Sequence, residues 1–417
     1  MPQPPASPDD DRPVPVAAFA TLWVTLFLDL VGFGIIIPVL PFYATSFGAS
    51  PQTVTMLSVS YSVAQLLASP VLGRLSDRVG RRPVMLVSIA GSAVSMLVLG
   101  VAQGLALVFV SRVVAGLCNS NISTAHAYVA DRVAPSQRAK YMGMMGAATG
   151  LGFVFGPAIG GLLSTPAHPE LPFLVAAGLA AVNWLMALRW LPESHRDRSS
   201  PSAEPPVAVV LGRRRPWSAV VEALWGTPLG WLVLVNLLFV TAFSAMESTY
   251  ALLLEAVLGY GAQQTGGVFA FIGVVIVITQ GLLVGRMVGR LGERGTLLAG
   301  MAILSAGLVV VGLMHAPWLA LLGSAGLACG NGLINPSINA WVSRVSTART
   351  QGYHLGLSAS SRALGRVIGP LWAGVVFERA GPGVPMLVAA GLVALAGLLV
   401  LAWLRGSPED DRRKHCG

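Results

Sequence analysis

The stretch GRLSDRVGRRPVM, residues 73–85, carries five charged side chains between two long apolar segments, although only 11% of the chain is charged. A weaker copy, GRMVGRLGERGTL, occupies residues 285–297. Short charged segments that contain glycine are typical of the connections between membrane-spanning helices. The two copies predict a chain built from two related halves.

Apolar segments of spanning length lie on both sides of each copy. The chain has 417 residues, 54% of them hydrophobic, and a span needs roughly 20 apolar residues to cross ~30 Å of hydrocarbon. We predict an all-α membrane protein with twelve transmembrane helices in two pseudo-twofold related six-helix halves, because lipid cannot satisfy an exposed backbone and no barrel-type alternation is present. The expected spans are 15–42, 53–74, 82–102, 105–130, 138–163, 172–191, 229–254, 264–286, 294–315, 317–342, 352–377 and 384–404.

A polar segment rich in Pro, Ser and Arg, residues 192–228, separates the first six spans from the last six. The two groups match at a nearly constant offset, as when Gly156-Pro157 corresponds to Gly369-Pro370. Like-oriented repeats predict a pseudo-twofold axis along the membrane normal, with the substrate path between the halves. The predicted organisation is a disordered N-terminal tail (1–14), an N-terminal half (15–191), a cytoplasmic linker (192–228), a C-terminal half (229–404) and a cytoplasmic C-terminal tail (405–417).

The net charge of +9 would suggest a nucleic-acid partner for a soluble protein. Here Lys and Arg are concentrated in alternate connections, including residues 74–82, 132–140 and 194–228, whereas the opposite connections carry almost none. This asymmetry follows the positive-inside rule. It predicts a multi-pass protein of the cytoplasmic (inner) membrane, with both termini in the cytoplasm and no nucleic-acid partner.

Four stretches, at residues 73–82, 29–41 (DLVGFGIIIPVLP), 111–117 (SRVVAGL) and 150–161 (GLGFVFGPAIGG), share recognisable patterns. They resemble the loop 2–3, helix-one, helix-four and helix-five motifs of the major facilitator superfamily, in its twelve-helix drug:proton antiporter branch of tetracycline and multidrug efflux proteins. The resemblance implies efflux of a small lipophilic compound or drug by alternating access, with antibiotic resistance as a consequence. It implies the proton gradient as the energy source, with no cofactor. Tetracycline exporters similar to this chain carry an aspartate where Ser95 stands, so another lipophilic substrate is favoured.

The resemblance also gives the charged loop a role. In the family, the aspartate matching Asp77 is thought to clamp helix eleven of the other half by accepting its N-terminal N–H groups. A solvated loop that only fixes topology is the alternative. The second copy has Gly289 in place of Asp77, which indicates that the first half carries the clamp. The predicted clamp residues, with glycines for a tight crossing, are Gly73, Asp77, Arg78, Gly80, Arg81, Arg82 and Asp131.

Ionisable side chains inside spans cost at least ~2.5 kcal/mol and therefore usually face a cavity or a partner. Asp29 in span one is the first candidate for proton coupling; a structural acid satisfied by neighbouring helices is the alternative. Arg112 in span four is the second candidate. It cannot release its proton, so it would tune a nearby acid or bind a carbonyl, or make a purely structural bond. Glu247 in span seven is the third candidate.

Two further groups belong to the predicted transport path. Small residues at four-residue spacing allow close packing of span five, and its proline allows bending. This antiporter motif comprises Gly152, Gly156, Pro157, Gly160 and Gly161. Polar residues on one face of a spanning helix predict lining of the path, and the arginines of span eleven could neutralise an acid or meet an anionic substrate group. The path candidates are Gln65, Asn119, Ser123, His126, Asn236, Gln280, Asn331, Asn335, Arg362 and Arg366.

Other function classes find less support in the sequence. A proton symporter or facilitator that imports a small metabolite is the main alternative, and a non-transporting receptor is a weaker one. The six histidines are scattered, and the chain contains no Walker sequence and no spacing typical of metal ligands. We therefore expect no enzyme activity, no catalytic residue and no metal. The expected partners are a small-molecule substrate, protons and the lipid bilayer, and the expected state is a monomer.

Overall fold

The computed structural model describes residues 16–133, 135–194, 228–345 and 351–406, and this part of the chain is almost entirely helical. The predicted N-terminal tail, and most of the predicted linker and C-terminal tail, lie outside the described residues. The helices are α1 (Val16–Ser46), α2 (Pro51–Val79), α3 (Arg81–Gly100), α4 (Leu105–Cys118), α5 (Asn121–Arg132), α6 (Pro135–Leu163), α7 (Leu171–Trp190), α8 (Pro228–Leu258), α9 (Ala262–Ile278), α10 (Val284–Gly312), α11 (Pro317–Val345), α12 (Gln351–Ala380) and α13 (Val384–Gly406). A π-helical segment, Thr279–Leu283, joins α9 to α10.

Ten helical stretches of the described chain are long and apolar enough to cross a membrane. One of them, Ala262–Gly312, has 51 residues, far more than the roughly 20 that a span needs. It contains Gly292 in a non-helical conformation (φ 69°, ψ 176°) and therefore comprises two spans. α12 is not among the ten, because polar residues such as Arg362 and Arg366 lower its hydropathy. With α12 added, the described helices correspond to the twelve predicted spans.

The chain divides into two compact units. The first contains residues 1–39 and 63–201, and the second contains residues 40–62 and 202–417, in each case as far as these residues are described. Residues 40–62 lie in the first half by sequence but belong to the second unit, where the backbone of Gln52 contacts Glu378 of α12. The end of α1 and the start of α2 are therefore part of the second unit.

The first unit has an apolar core formed by α1, α3, α5, α6 and α7. Leu22, Met85 and Tyr128 are almost completely buried in it, as are Met145 and Ala187. Lipid tails are as apolar as these side chains, so close packing and hydrogen bonds must favour helix association in a membrane more than hydrophobic burial does. One buried hydrogen bond of this kind joins Thr25 Oγ1 of α1 to Asn183 Oδ1 of α7 at 3.0 Å.

In the second unit, α10 packs against α11, and α8 packs against α12. Glycines on both helices allow the close contact between α10 and α11. A Cβ added to Gly307 would lie 2.8 Å from the backbone nitrogen of Leu327, and one added to Gly330 would lie 2.7 Å from that of Leu304. These backbones approach as closely as small residues permit in membrane helix pairs.

Candidate functional site

The central feature of the first unit is the Asp29 carboxylate, halfway along α1. Asn121, the first residue of α5, donates a hydrogen bond from Nδ2 to Asp29 Oδ1 at 2.9 Å. The Ser92 side chain of α3 also hydrogen-bonds Asp29. Within the described residues, no Lys, Arg or His nitrogen lies within 4.0 Å of this carboxylate. The candidate proton site is therefore an acid with two neutral partners from two other helices.

Span four is broken just before this contact, which the sequence did not predict. α4 ends at Cys118 and α5 begins at Asn121, with Asn119 in an extended conformation (φ −80°, ψ 91°). The prediction of a polar face on span four assumed one continuous helix. Because the helix is broken, residues before and after the break do not lie on one helical face. Ser123 and His126, beyond the break, are exposed, whereas Asn121 and Thr124 are buried. Asn and Ser side chains compete with backbone hydrogen bonds, and the run Asn119-Ser120-Asn121 was the available signal.

Arg112 is buried within α4, at 4% exposure. Its Nη2 donates to the Oγ of the preceding residue, Ser111, at 3.3 Å. Ser111 in turn donates to the carbonyl oxygen of Ser95 at 2.8 Å. Arg112 thus has a polar connection to α3, and it forms no ion pair with Asp29.

The glycines of α6 bring its backbone against that of α1. A Cβ added to Gly156 would lie 2.7 Å from both Gly34 Cα and the carbonyl oxygen of Val31. One added to Gly152 would lie 2.5 Å from the Cβ of Leu30. Gly160 makes a similar approach further along. The predicted antiporter motif is therefore a close helix–helix contact alongside the turn of α1 that follows Asp29.

The charged connection between α2 and α3 consists of a single non-helical residue. α2 continues to Val79, and Gly80 adopts φ 106°, which favours glycine. Gly73 lies inside α2, where an added Cβ would meet nothing within 4 Å. The tight crossing predicted for both glycines is therefore made by Gly80.

Arg81 joins two acids at this end of the first unit. Its Nη1 lies 2.5 Å from Asp77 Oδ1, and its Nε lies 2.9 Å from Asp131 Oδ2. Asp77 and Asp131, two predicted clamp residues, are thus linked through Arg81 across α2, α3 and α5. The glycine in place of Asp77 in the second copy, Gly289, has no atom within 4 Å of an added Cβ.

A third acid at this end of the first unit was missed from the sequence. Glu193 follows α7, and its carboxylate accepts hydrogen bonds from the backbone N–H groups of Arg81 at 2.9 Å and Arg82 at 3.2 Å. These N–H groups begin α3 and have no partner within the helix. Arg132, at the end of α5, donates to the backbone carbonyl of Glu193. The ends of α3, α5 and α7 therefore meet at Glu193.

The second unit contains a separate charged group. The Glu247 carboxylate of α8 is partly buried and is attracted by the Arg366 guanidinium of α12, although the two do not come within 4.0 Å. Arg362, one turn earlier, donates to Ser358 Oγ at 3.2 Å and to Asn339 Oδ1 at 3.4 Å. One acid and two arginines thus occupy facing helices of this unit.

The remaining path candidates differ in their surroundings. Asn236 is buried, and its Nδ2 donates to Ser358 and to Ser361 between α8 and α12, which is a packing contact. Asn335 Nδ2 donates to Asn331 Oδ1 at 2.6 Å. Gln280 is exposed in the π-helical segment, and Gln65 is partly buried in α2. Among the described residues, no three His, Cys, Asp or Glu side chains come together as a metal-ligand set.

A bundle of apolar spanning helices with ionisable side chains inside it is the architecture of a multi-pass membrane transporter. Residues 22–292 and 277–415 match the Major Facilitator Superfamily. The chain is 32% identical over 352 residues to the class G tetracycline resistance protein of Vibrio anguillarum, covering 82% of this chain and 86% of the relative. It is 27% identical over 384 residues to multidrug resistance protein 1 of Bacillus subtilis (strain 168), covering 92% and 95%.

A solved transporter structure is also similar to this chain in fold and in sequence. The human organic anion transporter MFSD10 (TETRAN) superposes with a TM-score of 0.69 at 26% identity, over 93% of this chain and 100% of that one. The chain belongs to the Major Facilitator Superfamily. Within it, the relatives named for tetracycline and multidrug resistance confirm the predicted resemblance to the drug-efflux branch.

Proposed function

We propose that the chain is a secondary active transporter that exports a small lipophilic compound in exchange for protons by alternating access. Asp29 is the residue that binds the coupled proton. The observation that carries this proposal is the hydrogen bond between Asp29 and Asn121, which places a spanning-helix carboxylate against a neutral partner at the break in span four. The proton gradient supplies the energy, and no cofactor is needed.

The chemistry of the Asp29 partners suits a group that must both bind and release a proton. A nearby cation would hold a carboxylate in its charged form, whereas amide and hydroxyl partners can hydrogen-bond either form. Each elementary charge moved through 100 mV supplies about 2.3 kcal/mol, which corresponds to a concentration ratio of roughly fiftyfold. One proton for each substrate molecule is therefore sufficient for useful efflux.

Glu247 is less suited to this role than Asp29. Glu247 faces α12, whose Arg362 and Arg366 are permanent cations, whereas the hydrogen-bond partners of Asp29 are neutral. We therefore assign Glu247, Arg362 and Arg366 to the substrate path of the second unit, where they would bind polar or charged groups of the transported compound. Arg112 supports the packing of α4 against α3.

The direction of transport and the substrate class rest on the relatives. Proteins named for tetracycline and multidrug resistance cover most of the chain, which supports export of a lipophilic compound. Ser95 is buried in α3 and hydrogen-bonds within its own helix; it stands where the resemblance to tetracycline exporters would place an aspartate, which supports a different compound. We further propose a monomer in the inner membrane with both termini in the cytoplasm. In that topology, the linked Asp77, Arg81 and Asp131 lie on the cytoplasmic side as the clamp.

Inverted membrane vesicles provide the test. A respiratory substrate acidifies their interior, and a pH-gradient probe reports proton release when compounds from a panel of lipophilic drugs are added. We expect at least one compound to dissipate the gradient in vesicles that contain the wild-type chain, with no dissipation in Asp29→Asn vesicles. Compound uptake that requires no opposing proton gradient, or that is driven by co-movement of protons, would indicate a facilitator or a symporter and would contradict the proposal.

A further inference from the structure

The break in span four is fixed by contacts with α3. Ser120 lies between α4 and α5, and its Oγ is 2.6 Å from the buried Oγ of Ser88, so this hydroxyl does not cap α5. A Cβ at Gly91 would lie 2.3 Å from the Sγ of Cys118, which shows how closely the end of α4 approaches α3. Broken helices inside a membrane occur where the irregular backbone is covered by protein or lines a cavity. The break therefore sets the position of the first residue of α5.

That first residue, Asn121, is 1% exposed. Its Nδ2 bonds Asp29, but its Oδ1 is buried without a hydrogen-bond partner among the described residues. A buried acceptor without a partner is unfavourable, and such atoms in native structures call for an explanation. The amide thus has one half engaged with the carboxylate and the other half available.

The two halves of the amide match the two states of the carboxyl group. An ionised carboxylate only accepts hydrogen bonds, so it requires the NH₂ group, whereas a protonated carboxyl has an O–H that the amide oxygen can accept. Rotation of the amide by half a turn exchanges the two groups. Oδ1 therefore has a ready partner once Asp29 is protonated.

We propose that Asn121 is a positioning residue for the proton site, whose amide donates to ionised Asp29 and rotates to accept from protonated Asp29 at the start of α5. This inference rests on the proposed role of Asp29. Proton binding adds one proton from water to one Asp29 oxygen and removes its negative charge. The state of Asp29 is thereby communicated to the break in span four.

The other residues around Asp29 are less suited than Asn121 to hydrogen-bond both forms of its carboxyl group. Ser92 is its partner on α3, and on α6 the facing residues are the glycines that contact α1. On α7, Asn183 bonds Thr25 instead. On α4, Arg112 bonds Ser111, and Cys118 lies at the end of the helix against Gly91 of α3. On α5, His126 is exposed, and Tyr128 donates to the carbonyl oxygen of Pro192. Asp131 and Arg132, at the far end of α5, bond Arg81 and Glu193. The ionisable groups of α2 lie toward its charged end, at residues 74–78.

Infrared titration of the purified full-length protein tests the proposal without a substrate. The carboxylic-acid band that disappears in Asp29→Asn identifies Asp29, and its intensity is followed against pH. In Asn121→Ala, we expect the midpoint to move to higher pH, by about one pH unit or tenfold in proton affinity, because the bond to the charged form is the stronger of the two. Asn121→Ser keeps a group that can donate and accept, so it should shift the midpoint of the Asp29 titration less. This variant replaces Asn121→Ala in the test if the alanine variant does not fold.

Asn183→Ala is the matched control, since it removes another buried asparagine that contacts α1 one turn from Asp29. We expect it to reduce stability and to leave the Asp29 midpoint unchanged. An unchanged midpoint in Asn121→Ala and Asn121→Ser, or an equal shift in Asn183→Ala, would overturn the role of Asn121. Because the band reports Asp29 itself, these results stay distinct from a failure of proton-coupled transport in Asp29→Asn vesicles.

Discussion

The Oε1 atom of Glu378 accepts a hydrogen bond from the backbone N–H of Gln52 at 2.8 Å, although 326 positions separate the two residues. Gln52 lies in the first turn of α2, where N–H groups have no partner within the helix and the helix dipole is positive. A Cβ at Gly374, one turn earlier in α12, would lie 2.1 Å from Thr55 Oγ1. Within the second unit, α12 therefore both packs against the start of α2 and caps it.

Removal of the Glu378 charge should loosen the start of α2. In Glu378→Gln, we expect amide hydrogen exchange over residues 51–55 to become about two- to fivefold faster, because a neutral cap interacts less with the helix dipole. Hydrogen-exchange mass spectrometry measures the effect. Glu170→Gln changes a partly exposed acid of the first unit and should leave exchange at 51–55 unaltered. Equal rates in Glu378→Gln and the wild type would show that the cap contributes nothing.

The same contact should weaken in acid. The side chain of Ser50 and the backbone N–H of Gln52 hydrogen-bond the carboxylate and lower the pKa of Glu378. A group with a lowered pKa stabilises the fold above its ordinary value, about 4.3 for glutamate, and loses this contribution as pH falls through the lowered value. Exchange at 51–55, corrected for its intrinsic pH dependence, should therefore rise below about pH 4 in the wild type and show no such rise in Glu378→Gln.

The contact between α1 and α6 predicts opposite effects for two glycine substitutions in one helix. Gly156→Ala places a Cβ 2.7 Å from the Gly34 Cα, so the helices must separate, and we expect a loss of about 1–3 kcal/mol. Gly146→Ala meets nothing within 4 Å and should be neutral or stabilising by up to about 1 kcal/mol. The free energy of unfolding in mixed micelles measures both. Similar values for the two variants would refute the close contact.

The bridge formed by Arg81 should appear as a coupling energy. In a double-mutant cycle of Arg81→Ala and Asp131→Asn, we expect a coupling of about 0.5–1 kcal/mol, as for other partly exposed ion pairs. As a control, a second cycle pairs Asp131→Asn with Arg286→Ala of the second unit. The effects of these two substitutions on the free energy of unfolding should be additive. Additive effects in the first cycle would mean that the Arg81–Asp131 pair does not stabilise the first unit where α3 meets α5.

The spans, the repeat and the charged connection could be predicted because each depends on composition or on local spacing. A run of roughly 20 apolar residues is sufficient to indicate a span. Asp29 stood out for the same reason, as an acid within an apolar run. The comparisons confirm the fold class and the family that these patterns indicated.

The partners of Asp29 could not be predicted, because they depend on tertiary contacts. The helical spacing used for span four assumes an unbroken helix. Because the helix breaks at residues 119–120, Asn121 is the buried residue that contacts Asp29. Glu193 and Glu378 were missed for a similar reason, since each caps a helix that is distant in sequence. The extension of α2 to Val79 shows that charged residues can continue a helix beyond the membrane span.

Transport by the reconstituted protein in proteoliposomes tests whether export is coupled to protonation of Asp29. The purified chain is reconstituted, and a compound found with the inverted vesicles is followed in two modes: accumulation driven by an imposed pH gradient, and exchange of labelled for unlabelled compound without a gradient. We predict that Asp29→Asn loses gradient-driven accumulation and retains exchange, because binding and alternation persist when the coupled proton is lost. Gradient-driven accumulation at the wild-type level in Asp29→Asn would show that Asp29 does not bind the coupled proton.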